Sequence, residues 1–188
     1  MNPIFEQQSG EGIGYGYDYF LKRFLEICES HLKNGRAKSF AFILYDFHDK
    51  QIRKILKTQG GFAKLDRLSG SELTIFYINS EDKHLINAFN KIFLGAFEIK
   101  KKAKLPSVLF FKVADKDVID VQIVELVREN ILFSFQELYS TIESYLKNSK
   151  ELPKPKFNKI ISFIGNLKKT SVDELIRIII SKGIEQFE

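Results

Sequence analysis

Three short, mainly apolar runs punctuate the middle of the chain: Phe40 to Tyr45, Leu73 to Ile78 and Val108 to Val113, broken only by Thr74 and Lys112. Runs this short and this apolar predict strands covered on both faces, as in the interior of an α/β protein. Between the first two, Ile52, Ile55 and Leu56 recur at helical spacing, and Asp49 stands where an N-cap would accept the first free N–H groups. Gly60-Gly61 interrupts that helix. Phe62, Leu65 and Leu68 then predict further helical turns, closed by Ser69-Gly70. Between the second and third runs, Leu85, Ala88, Phe89, Ile92, Phe93 and Ala96 form one apolar stripe.

Pro106 opens the third run. Proline cannot donate to a sheet ladder, so a strand start suits it. Ala114-Asp115-Lys116-Asp117 reads as a tight polar turn. Beyond it, Ile119, Val121 and Ile123 alternate with polar residues, which predicts an antiparallel hairpin partner with a wetter face. Ser134-Phe135-Gln136-Glu137 has the spacing of a capping box and predicts a helix carrying Leu138, Ile142 and Tyr145.

The ends are different. Residues 1–16, with Gly10, Gly12, Gly14 and Gly16, read as an irregular arm, and their spacing fails the phosphate-binding glycine motifs. Leu21, Phe24, Leu25, Cys28 and Leu32 predict an N-terminal helix over 18–33. After Pro153 and Pro155, two helices are expected at 157–167 and 171–186. The first carries Ile160, Ile161 and Ile164. The second opens on the capping box Ser171-Val172-Asp173-Glu174 and carries Ile176, Ile179 and Ile180. Those six isoleucines form a candidate interface, because a pair of short helices cannot hide so much apolar surface alone. The chain therefore divides into an N-terminal arm and helix (1–37), an α/β domain (38–148), and a linker with a C-terminal helical hairpin (149–188).

Composition adds bounds. The 188 residues are 44% hydrophobic and 28% charged, ordinary for a globular protein, and 18 are Phe. A phenylalanine-rich core is expected from that excess. No apolar run approaches the roughly 20 residues that cross a bilayer, so no membrane association is expected. The first residues lack a basic and an apolar region, so no signal peptide is expected. Cys28 is the single cysteine, which rules out an internal disulfide and suggests a reducing, cytoplasmic setting. The net charge is +5, yet residues 147–169 hold seven lysines against Glu151 alone. Lysine without interleaved arginine or exposed aromatics is a weak nucleic-acid signal, so nucleic acid is not expected as a partner of this protein.

From 38 to 148 the predicted order is strand, helix, strand, helix, proline, strand, strand, helix. With Leu105-Pro106 before the third strand, this order resembles the thioredoxin-like superfamily. The resemblance implies a three-layer sandwich around a mixed four-stranded sheet, with the additional N-terminal helix and C-terminal hairpin appended. It also implies a cis Leu105–Pro106 bond facing the loop after the first strand. In catalytic members that loop begins a helix with Cys-x-x-Cys. Here it reads Phe47-His48-Asp49-Lys50-Gln51-Ile52, with no cysteine, serine or threonine. Disulfide exchange needs a thiolate attacker, so thiol–disulfide oxidoreductase activity is not expected.

Phe47, His48, Asp49, Leu105 and Pro106 form the candidate cleft. His48 with Asp46 and Asp49 could be an acid–base or metal group, but a capped, solvated turn accounts for them as well. His31 and His84 have no ligand at the right spacing. Neither a metal nor a cofactor is expected. The expected function is a non-catalytic interaction module that binds a protein partner or a second copy of itself. The alternative is an enzyme or small-molecule binder using the cleft between the His48 loop and the Leu105-Pro106 loop.

Overall fold

The computed structural model describes residues 2–5, 38–79, 82–97, 104–126, 131–150, 160–161 and 170–187. The N-terminal helix expected over 18–33, Cys28, Ile164 and most of the lysine-rich 147–169 segment lie outside them.

Four strands make the centre of a mixed sheet. They are β2 (Ser39–Leu44), β3 (Leu73–Asn79), β4 (Ser107–Ala114) and β5 (Asp117–Glu125), in the spatial order β3-β2-β4-β5. The β2–β3 pair is parallel, with Phe42 opposite Phe76, while β4 runs antiparallel to both β2 and β5. A parallel pair needs a crossover, supplied here by α1 (Lys50–Lys57) and α2 (Gln59–Ser69). The crossover from β3 to β4 carries α3 (Lys83–Ala96), and α4 (Ile131–Lys150) follows β5. The four expected strands are observed at the expected places. Asp115 and Lys116 both take positive φ, the requirement of a two-residue primed turn, and close the β4–β5 hairpin.

The rings show how the layers stack. Phe42 lies 4.1 Å from Phe93 and 6.3 Å from Phe89, both on α3. On the opposite face Phe110 stacks on Tyr145 of α4 at 4.2 Å. Residue alternation along each strand sends neighbours to opposite faces, so both faces of β2 and β4 are apolar. That is why their sequences show continuous runs. The helices α1 and α2 pack with α4 on the Phe110 side.

Local chemistry sets the helix ends. Asp82 caps α3, its Oδ1 accepting from His84 N at 2.7 Å. Ser171 Oγ accepts from Glu174 N at 3.1 Å, as the second capping box predicts. The first capping box is misplaced: α4 begins at Ile131, so Ser134 sits inside the helix and buried. A Ser-x-x-Glu spacing is equally compatible with a helix interior, so it marks no start by itself. Between α1 and α2 the chain turns at Thr58. Gly61 is needed there, because a Cβ at that position would lie 2.8 Å from Ile55 O. Gly70 ends α2 with φ of 54°.

Three expectations are corrected. The arm at the N-terminus holds a strand, β1 (Asn2–Phe5), parallel to β3 on its outer edge; edge strands tolerate a residue such as Pro3. The C-terminal helical hairpin is not formed as expected: Ile160–Ile161 is a strand, β6, paired with Ile123 and Val124 of β5. Thr170–Ser171 is a second short strand, β7, on Asp117 and Val118. The free hydrogen-bonding edge of β5 recruits this segment, and β-branched isoleucines fit a pleated surface as readily as a helix. The sheet is thus wider than four strands. Only the last helix, α5 (Val172–Phe187), is present as expected. It packs on α3 and β5 of its own chain, with Leu175 and Ile179 in the core.

Candidate functional site

Leu44 pairs with Ser107 across β2 and β4. Because these strands are antiparallel, the segment leaving β2 and the segment entering β4 lie at the same end of the sheet. Phe47, His48 and Asp49 follow the one; Leu105 and Pro106 precede the other. The five residues of the predicted cleft are therefore brought to one end of the sheet by register alone. The Leu105–Pro106 peptide is cis, and Pro106 O accepts from Leu126 N at 2.8 Å.

The first loop is tied down by its own side chains. Asp46 Oδ1 accepts from His48 N at 2.6 Å, and Asp49 Oδ2 accepts from Asp46 N at 2.8 Å. Asp49 stands at the N-cap position of α1, but its carboxylate makes no cap bond to the helix, contrary to expectation. Burial among the loop's own N–H groups claims it first. Both carboxylates thus serve the loop backbone, which leaves them poorly placed for general acid–base work on a ligand. His48 is exposed, with its ring edge-on to Phe47 at 6.0 Å. The Arg53 guanidinium lies 4.5 Å over the Phe47 ring and donates to Phe47 O at 3.3 Å. Phe47 and Leu105 are partly buried hydrophobics at the margin of the core.

Behind the loops the anchoring is polar. Asn90 Nδ2 on α3 donates to Tyr45 O at 2.9 Å, and the Tyr45 hydroxyl donates to Ile78 O at 2.6 Å. Burial holds the Tyr45 hydroxyl well above the ordinary phenol range, with the Arg53 charge pulling weakly the other way. Burial pushes Tyr77 up to about 12. Two buried oxygens near this end, Ser107 Oγ and Asn90 Oδ1, have no hydrogen-bond partner among the described residues.

The candidate interface is scattered. Ile179 is buried in the core, Ile176 and Ile180 are partly buried against it, and Ile160 and Ile161 form β6. Among the described residues no cluster of His, Cys, Asp and Glu could hold a metal ion, and His84 is exposed on the first turn of α3. No described helix is long and apolar enough to cross a membrane.

One surface feature escapes sequence reasoning. A groove of about 660 Å³ between α2 and α4 is lined by Lys64, Arg67, Leu68, Phe135, Gln136 and Tyr139. Its signal is present in the sequence only in halves: cations at i and i+3 on one helix, rings at i and i+4 on another. Nothing local says that those helices face each other.

Fold and site together define an α/β protein with a mixed sheet and a structured loop at the carboxyl end of β2. No protein-family model matches the chain, and no curated protein and no solved structure matches it either.

Proposed function

We propose that the chain is a non-catalytic, thioredoxin-like binding module whose partner, a protein segment or a second copy, docks at the sheet end formed by Phe47, His48, Leu105 and Pro106. The likeness draws support from the order β3-β2-β4-β5, with β4 antiparallel and helices on both faces. One observation carries the functional reading. The loop where a catalytic member would place its thiols is instead closed on itself by Asp46 and Asp49, beside exposed His48 and half-exposed Phe47. Such a loop offers a shaped, partly apolar edge and no nucleophile.

Two experiments test it. In an insulin-reduction assay the protein gives no turnover; turnover that disappears in Cys28→Ser would overturn the non-catalytic reading. Leu105→Asp, which places a charge on the margin of the core, lowers self-association in sedimentation velocity or retention of a captured partner by at least tenfold, since burying an unpaired charge is so costly. Unchanged association in that variant, with the fold intact by circular dichroism, removes this surface from the reading.

A second reading is a small-molecule site between the same loops. It draws on the buried, unpartnered Ser107 Oγ and Asn90 Oδ1. A ligand there raises the thermal midpoint of the wild type and not of Ser107→Ala.

A further inference from the structure

The groove between α2 and α4 combines two features, partly exposed rings and exposed cations. Phe135 and Tyr139 stand one helical turn apart on α4, centroids 6.1 Å apart and tilted by 40°. Both rings are partly exposed. Facing them from α2 are Lys64 and Arg67, also one turn apart and both exposed. Lys64 Nζ lies 5.6 Å from the Phe135 centroid, within cation–π range. Neither cation has a carboxylate partner among the described residues. Helices α1 and α2 are basic, with Lys50, Arg53, Lys54, Lys57, Lys64 and Arg67 against Asp66, while α4 places Glu137 between the two rings in sequence.

We infer that this groove binds a nucleotide unit, its base stacked on the Tyr139 ring and its phosphate held by Lys64 and Arg67. Four properties of the groove argue for that chemistry. A flat, partly exposed ring offers a stacking platform that any base can use. An arginine presents a planar fork that matches phosphate oxygens in pairs, and a lysine adds a second point charge. Gln136 supplies an amide that can both donate to and accept from a base edge. Finally, the volume lies within the range of about 300–1,000 Å³ typical of small-molecule sites. An acidic peptide would use the cations but has no need of the two rings. The excess of positive charge on α1 and α2 raises the local concentration of any such anion.

This groove is separate from the sheet-end loops, so its fate and that of the binding-module reading are independent. The test is titration of the full chain, by calorimetry or fluorescence, with four probes: ATP, adenosine, inorganic phosphate, and a short single-stranded oligonucleotide. Saturable ATP binding is expected, with adenosine and inorganic phosphate each at least tenfold weaker. Tyr139→Ala weakens ATP about tenfold, the scale of one base–aromatic stack. The exposed pair K64E and R67E abolishes it while the thermal midpoint stays put. An oligonucleotide that binds more tightly per nucleotide than ATP, and loses that binding in the same variants, assigns the unit to single-stranded nucleic acid. Four results overturn the inference: no saturation by ATP or the oligonucleotide at millimolar nucleotide, inorganic phosphate binding as tightly as ATP, binding untouched by R67E, or binding untouched by Tyr139→Ala.

Discussion

The two faces of the sheet are built from different aromatics. On the α3 and α5 side the rings are phenylalanines: Phe40, Phe42, Phe76 and Phe111 from the strands meet Phe89, Phe93 and Phe97. On the α1, α2 and α4 side Phe110 stacks on Tyr145, and Tyr45 and Tyr77 lie with it. A phenylalanine contributes buried area and asks nothing of its neighbours. A buried tyrosine contributes area but brings a hydroxyl that must find a partner or remain unsatisfied. The difference separates a face that holds the fold from a face that carries polar chemistry, where the loop, the cations and the exposed rings also lie.

The sharpest break comes on the phenylalanine side. Phe42 touches Phe76, Phe89, Phe93 and Phe111 within 6.3 Å. Phe42→Ala should cost about 3–5 kcal/mol, read as a lower denaturation midpoint. A cost below about 1 kcal/mol would mean that this face is loosely packed.

The helix pair on the other face turns on one glycine. Gly61→Ala should cost about 1–3 kcal/mol, because its Cβ meets the Ile55 carbonyl at 2.8 Å and backbone cannot step aside. A methyl added at Gly60 would meet no atom within 4 Å, so Gly60→Ala should be neutral or stabilise by up to about 1 kcal/mol. Equal effects in chemical denaturation would contradict this division between neighbours.

The tyrosines differ in the same way. Tyr45→Phe removes a bond to Ile78 O and should cost about 1 kcal/mol. The Tyr145 hydroxyl is buried near Ser39 but makes no hydrogen bond of good geometry among the described residues. Tyr145→Phe should therefore be neutral or slightly stabilising. Thermal melts of the two variants decide it.

Alkaline pH probes all three phenols at once. Each is held above 10.0 by burial, Tyr77 at about 12. Above pH 10 the unfolded chain ionises these groups while the folded chain keeps them protonated. Ionisation therefore draws the equilibrium toward the unfolded state, and stability is full below pH 10 and falls as pH rises toward about 12. Tyr77→Phe should flatten part of that fall; an unchanged profile would remove Tyr77 from the account.

The strands are legible in the sequence because burial on both faces writes itself as continuous apolar runs, as in Phe40 to Tyr45. Edges are not. Whether Ile160-Ile161 forms helix or strand is decided by the open side of β5, not by the isoleucines themselves, and Asn2–Phe5 likewise finds its structure on β3. The sheet-end loops are paired in the sequence only through the thioredoxin-like resemblance; they meet because β4 runs antiparallel to β2, a direction that element order alone does not give. The bonding inside the loop is not legible either: Asp49 has the position of a helix cap, and its burial turns it to Asp46 N. The groove needs α2 and α4 side by side, a fact of topology that neither helix carries in its own pattern.

On the groove proposal, the tyrosine side binds and the phenylalanine side supports. Amide chemical-shift mapping separates the two, following backbone resonances through an ATP titration. Shifts are expected at Lys64 to Leu68 and Phe135 to Tyr139, with α3 and α5 silent. Shifts centred on Lys83–Ala96 and Val172–Phe187, or none anywhere, would contradict it.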